Sequence, residues 1–253
     1  MRFLEFGHLP RWSPVRSADR LIVSESRGGT VLVSCWSSKG GSGTTVVAGA
    51  LATVLGRRGD EGSLLVDLAG DVPVSLGMPE PPGPGVTEWL AAGSEAPIDA
   101  LGRIEVPATP DVSLLPCGRL GLLDPERAEL LVTVLAADPR PVVVDVGTIG
   151  VRGDPDAEQV RRVFALAATH SLLVTRACFL SLRRAINLPF RPSGIVLVRE
   201  SYRSLGGREV ADVIGAPIVA TVPVDGAIAR AVDAGLLASR IPRVLTDVLL
   251  DAA

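Results

Sequence analysis

The chain has 253 residues, 47% of them hydrophobic, and carries 25 Lys and Arg against 28 Asp and Glu for a formal net charge of -3. That length and apolar content suffice for a well-buried core in one large or two small domains. The charge balance excludes the global basic field expected of a nonspecific nucleic-acid binder.

Short β-branched runs alternate with longer Ala/Leu/Arg segments, the pattern of an α/β fold with a mostly parallel sheet covered on both faces. Residues 1–28 mix Pro, Arg, Ser and isolated aromatics without a period and read as an irregular N-terminal extension; 29–253 read as one α/β domain. Strands are expected at 30–36, 63–68, 111–117, 141–147, 170–176, 193–199 and 216–223. Helices are expected at 43–58, 86–92, 124–137, 155–168, 179–187, 206–214, 226–235 and 242–251. The proline-rich stretch at 77–86 reads as a surface loop within the domain.

The chemistry concentrates in "SSKGGSGTT", residues 37–45, between the first strand and the first long helix. Strand, glycine-rich turn and helix N-terminus is the order that presents backbone N–H groups to a phosphate. Lys39 within it is the single lysine, the other 24 cations being arginine. The standard phosphate loop G-x-x-x-x-G-K-[ST] fails at two positions, with Ser38 at the first glycine and Thr44 at the lysine. Asp67 and Asp145 each end or nearly end an apolar strand, where ligands of open α/β sheets gather, and the other reading of both is a cap or turn carboxylate. Asp71 reads as a turn cap.

The variant loop K-G-G-x-G-K-[ST] fits better: Lys39, Gly40, Gly41, Gly43 and Thr45 match five of its six specified positions, and Thr44 alone departs. With the segments around Asp67, Asp145, "LLVTRACFLSLRRAINL" and "GAPIVATVPVDGAIARAVDAG", the chain from residue 29 onward resembles the MinD/ParA family of P-loop ATPases, CpaE-like and actinobacterial ParA-like members above all. The resemblance implies a single P-loop NTPase domain that binds ATP or ADP with Mg²⁺ and works as a homodimer with an unidentified protein partner. It assigns nucleotide contacts to Lys39, Gly40, Gly41, Ser42, Gly43, Thr44, Thr45 and Arg199, with Lys39 crossing to the partner subunit's nucleotide. Thr45 and Asp145 fall at the metal positions, and Lys39 and Asp67 at the catalytic ones.

Three departures put turnover in doubt. Thr44 removes the cation that grips the phosphates within one subunit, worth about 1.5–3 kcal/mol as a charge-assisted hydrogen bond, or roughly one to two decades in Kd. The switch D-x-D is broken, because Leu68 and Ala69 follow Asp67 and the orienting carboxylate is absent or displaced to Asp71. Val198 stands where an asparagine often precedes the base-contacting arginine. The expectation is therefore an ATP-dependent dimerisation switch with weak or absent hydrolysis in spatial organisation of a cell process, or else a non-catalytic pseudo-ATPase scaffold. A DNA-associated partition protein is the weaker reading, disfavoured by the acidic balance.

The remaining features read as structural. Cys35, Cys117 and Cys178 form no C-x-x-C pair and are expected as small buried hydrophobes. His8 and His170 lack ligand neighbours, Arg183 and Arg184 read as a solvated face, and Trp89 and Leu90 as core. No apolar run approaches the roughly 18 residues of a membrane span, residues 1–20 lack the apolar stretch of a secretion signal, and the last helix carries acids instead of lysines. A cytoplasmic protein without a membrane anchor is the expectation.

Overall fold

The computed structural model describes residues 31–119, 125–150 and 153–250; the extension expected at 1–28, with His8, lies outside them. Eight strands form one sheet: β1 (Leu32–Ser37), β2 (Ser63–Asp67), β3 (Val106–Thr109), β4 (Val112–Leu115), β5 (Val142–Thr148), β6 (His170–Arg176), β7 (Gly194–Arg199) and β8 (Ile218–Pro223). Their order is β3-β4-β2-β5-β1-β6-β7-β8, and every pairing is parallel except β3 with β4. The crossover elements are α1 (Thr44–Gly56), α2 (Val72–Leu76), α3 (Val86–Ala91), α4 (Ala100–Ile104), α5 (Pro125–Ala136), α6 (Pro155–Ala167), α7 (Phe179–Ile186), α8 (Gly207–Ile214), α9 (Gly226–Asp233) and α10 (Arg243–Leu250). This is the α/β P-loop architecture expected from the sequence.

Why the elements form where they do is largely legible. β1 and β2 are buried at every position, as strands covered on both faces must be, so their apolar runs carry no alternation. Asp154 caps α6 by accepting from Asp156 N at 3.1 Å, and Pro155 takes the first helical position, where a missing N–H costs nothing. The two sheet faces bury separate clusters: Trp36, Leu64, Val66, Val144 and Phe164 on one, and Val33, Leu51, Leu65, Val143 and Val174 on the other. Trp36 is fully buried and donates its indole N–H to Ser171 Oγ at 2.9 Å, satisfying the one polar atom it takes inside. Trp89 and Leu90 are core as expected, and Arg127 stacks 3.6 Å above the Trp89 ring while donating to the Trp89 and Ala96 carbonyls.

Some elements were not anticipated. β3 is a four-residue antiparallel edge strand interrupted by Pro107, which an edge tolerates because one side of its ladder is empty. α2 and α4 are five residues each, too short to show a helical period. α10 sends Leu245 and Leu249 into the core beside α1, so its apolar face is used in packing. Among the described residues, no helix is long and apolar enough to cross a membrane. The cysteine expectation needs correction: Cys35 is buried, whereas Cys117 and Cys178 are partly exposed, because both lie just beyond strand ends and not within the core.

Candidate nucleotide site

A cleft of about 560 Å³ opens beyond the C-terminal ends of β1, β2 and β5, within the size range of small-molecule sites. One wall is Ser37 at the end of β1, the loop residues Gly40, Gly41, Ser42 and Gly43, and Thr44, Thr45 and Val46 at the head of α1. The loop turns sharply into the helix through Gly41 at φ 74° and Gly43 at φ 92°, a left-handed backbone that a side chain would strain. A Cβ added at Gly40 or Gly41 would meet nothing within 4 Å, so this face of the loop is open. The N-terminus of the 13-residue α1 directs its unsatisfied N–H groups and positive dipole end at the same space.

The other loop residues hold its shape. Ser38, standing at the first P-loop glycine, is buried and donates its hydroxyl to Ser181 O at 2.8 Å, fastening the loop to α7. That departure from the standard loop therefore has a structural use. Ser42 is also buried and donates to Lys39 O at 2.8 Å. Lys39 is half-buried and lies outside the cleft lining, with Nζ 3.4 Å from Gly40 O. Thr44 lines the cleft from the position of the missing lysine.

Asp67 and Asp145 are register partners across β2 and β5, and both are fully buried. Asp67 spends its carboxylate on its own turn: Oδ1 accepts from Ala69 N at 2.9 Å and Gly70 N at 2.7 Å, and Oδ2 from Val72 N at 3.1 Å. Burial pushes its pKa up, and those three N–H groups oppose the rise. Expected as catalytic, Asp67 is not among the residues lining the cleft, and neither is Asp145, expected at the metal; Asp71 is. Asp71 was expected to cap a turn; it precedes α2 but makes no side-chain cap bond and is exposed.

Asp145 is held differently. Burial pushes its carboxyl up to about 7, the charges of Asp67 and Asp71 push the same way, and the Thr45 hydroxyl and Gly147 N–H hold it down. Oδ1 accepts from Gly147 N at 3.1 Å, while Oδ2 is buried with no hydrogen-bond partner. A buried carboxylate oxygen with nothing to bind is the kind of group a cation satisfies. Among the described residues there is no group of three or more His, Cys, Asp and Glu side chains that could cage a metal. A cation here would rest on the Thr45 hydroxyl, backed by Asp145, with phosphate and water completing its shell, which is how Mg²⁺ is commonly held. The open glycine cradle, the helix end and the orphaned carboxylate oxygen all fit a magnesium–phosphate group.

The base end fits less well. Arg199 is exposed and does not line the cleft; its carbonyl accepts from Val224 N at 2.9 Å. Val198 is buried with Cγ2 4.0 Å from where a Gly43 Cβ would sit, so an apolar side chain occupies the place expected to read the base. The next residue, Glu200, is buried and pairs with Arg176 at 3.0 Å and with Arg203. Those hydrogen bonds and charges keep its carboxyl below the usual range, Arg203 contributing most.

The opposite wall of the cleft was missed from sequence. It is built by Gly147 and Thr148 at the end of β5 and by Gly153, Asp154, Glu158 and Arg161 at the head of α6. The Asp-Pro cap placed the start of α6, but no local signal told which residues of that helix face the loop at 38–43. His170, Arg183 and Arg184 lie away from the cleft lining, in line with their reading as ordinary residues.

No protein-family model and no curated protein matches this sequence. Solved structures do. A ParA family ATPase from Chlorobium tepidum TLS superposes with TM-score 0.71 at 21% identity, covering 88% of this chain and 97% of that one. The septum site-determining protein MinD from Pyrococcus horikoshii OT3, complexed with Mg-ADP, gives TM-score 0.71 at 19% identity over 88% and 94% of the two chains. The MinC:MinD cell division protein complex of Aquifex aeolicus gives 0.71 at 17% identity over 88% and 94%. The chain thus has the fold of the MinD and ParA ATPases over nearly the full length of those proteins.

Proposed function

We propose that this protein is a MinD/ParA-like nucleotide switch that binds Mg-ATP or Mg-ADP in the cleft between α1 and α6 and dimerises in response, with weak or absent hydrolysis. The observation that carries the reading is the Asp145 carboxylate, buried behind the cleft lining with Oδ2 unpartnered and next to Thr45, which lines the cleft together with the open glycines. Gly40, Gly41, Ser42 and Gly43 would hold phosphate by backbone N–H groups, and Thr45 with Asp145 would hold the magnesium. The metal supplies charge neutralisation at the phosphates. Lys39, which does not line its own cleft, would serve the nucleotide of a second copy of the chain. The Mg-ADP in one similar protein and the MinC partner in another support a nucleotide and a protein partner here. The role assigned is spatial organisation in the cytoplasm, of a pilus, a division site or a chromosome.

Calorimetric titration with Mg-ATP, with light scattering to follow mass, tests this. Binding accompanied by a doubling of mass is expected, and Lys39→Ala should abolish the doubling. A non-catalytic scaffold is the second reading, favoured by Thr44 and by the sequestration of Asp67. No binding at millimolar Mg-ATP would establish it in place of the switch. Salt-sensitive retention on nonspecific DNA would instead revive the partition role, because phosphate contacts release counterions.

A further inference from the structure

The cleft is short of positive charge. Thr44 replaces the lysine, Lys39 lies outside, and three carboxylates, Asp71, Asp154 and Glu158, stand on its walls. Two of them are engaged elsewhere: Asp154 caps α6, and Glu158 accepts from Gly150 N and from Arg162 at 2.8 Å. Arg161 is the one cation among the described lining residues.

Its surroundings leave its charge uncommitted, whereas Arg176, the other described arginine with a buried and unpartnered Nε, is paired with Glu200. It stands one turn after buried Ala157 and one turn before fully buried Phe164, so its stem follows the boundary of the packed face of α6. Its Nε is excluded from solvent and has no hydrogen-bond partner, and among the described residues the guanidinium makes no ion pair. Neighbouring Arg162, by contrast, pairs with Glu158. Nε itself is shut away from the cleft, but the residue lines it, and among the described residues no hydrogen bond or ion pair holds the guanidinium elsewhere. Its planar fork suits the oxygens of a polyphosphate.

Building on the nucleotide reading above, we propose that Arg161 supplies the phosphate cation that Thr44 does not: the charge has moved from the head of α1 to α6 on the opposite wall. Thr44 is then tolerated because the cleft already holds a cation, and phosphate binding depends on Arg161 more than on residue 44.

The test is titration of the full-length protein and four variants with Mg-ATP and with Mg-pyrophosphate. Arg161→Ala should weaken both by roughly 10- to 100-fold, the loss of one charge-assisted contact. Thr44→Lys in the Arg161→Ala background should recover most of that loss, which a purely structural role for Arg161 would not allow. Arg161→Met keeps the stem and removes the charge; unchanged thermal unfolding without nucleotide, together with the same loss of affinity, separates charge from packing. Should Arg161→Ala fail to fold, the Met variant alone gives the answer. Wild-type affinity in Arg161→Met overturns the proposal and leaves the nucleotide reading standing. Silence toward both ligands in the wild type and in Thr44→Lys alike overturns the nucleotide reading and this inference with it.

Discussion

Two neighbouring strands put the same residue type to opposite uses. After β2, Asp67 gives all its acceptor capacity to three backbone N–H groups, and the turn is closed upon itself. Asp145, which the sequence reading placed near a strand end, lies in the middle of β5; it accepts from one N–H and leaves Oδ2 buried without a hydrogen-bond partner. The residues are register partners, equally buried and adjacent in space. Burial and register therefore do not distinguish an aspartate spent on its own turn from one with an oxygen to spare; the fate of its lone pairs does.

The contrast can be broken most severely at Asp67. Asp67→Ala should destabilise the nucleotide-free protein by about 3 kcal/mol in denaturant unfolding, since it strands backbone donors of which Val72 N is buried. If the turn tolerates it without loss, Asp67 was available for chemistry after all. Asp145→Asn should do the reverse. Nucleotide-free stability should hold or rise, because a buried charge is removed, while the magnesium dependence of ATP binding measured by calorimetry falls by about 10- to 100-fold.

A third measurement asks whether a carboxylate filled by a partner always behaves as structure. Arg140 bridges Asp138 and Glu105 through four side-chain hydrogen bonds of 2.7–3.0 Å, well away from the cleft. Arg140→Ala should cost about 2 kcal/mol with nucleotide affinity unchanged. Partial burial raises the Asp138 carboxyl, but the hydrogen bonds and charge of Arg140 outweigh it and leave the pKa below the ordinary value. A lowered folded pKa contributes stability present above the ordinary carboxylate range and lost as pH falls through the folded pKa. Acid unfolding of the wild type should therefore show a loss at low pH that is smaller in the Arg140→Ala variant.

The smallest effect is expected at Asp71, exposed and without a capping bond. Asp71→Asn should shift stability by no more than about 0.5 kcal/mol by thermal unfolding. A large loss would mean that this turn, too, depends on its carboxylate.

The class of fold and the loop are legible in the local order of residues. Seven of the eight strands and the eight longest helical segments follow from hydrophobic period and flanking Gly, Pro and Asp, which are local properties of the chain. The phosphate-loop geometry follows equally, since Gly41 and Gly43 announce the left-handed backbone that the turn needs. Edge strand β3 and the five-residue helices escaped because a strand holding Pro107 and a helix of little more than one turn carry too few positions for a period.

The fate of each charge was decided only by the tertiary structure. Asp67 and Asp145 look alike in sequence, and which one keeps an unpartnered oxygen depends on whether the backbone turns back on it, as it does after Asp67, or continues as strand, as it does after Asp145. Ser38 appears as a lost glycine until Ser181 is placed beside it. Arg161 is one arginine among 24 until the crossover from β5 to β6 lays α6 against the cleft. Local periodicity reports which face of a helix is buried, but a charge acts on whatever the fold brings opposite it, and that distance is set by strand order alone.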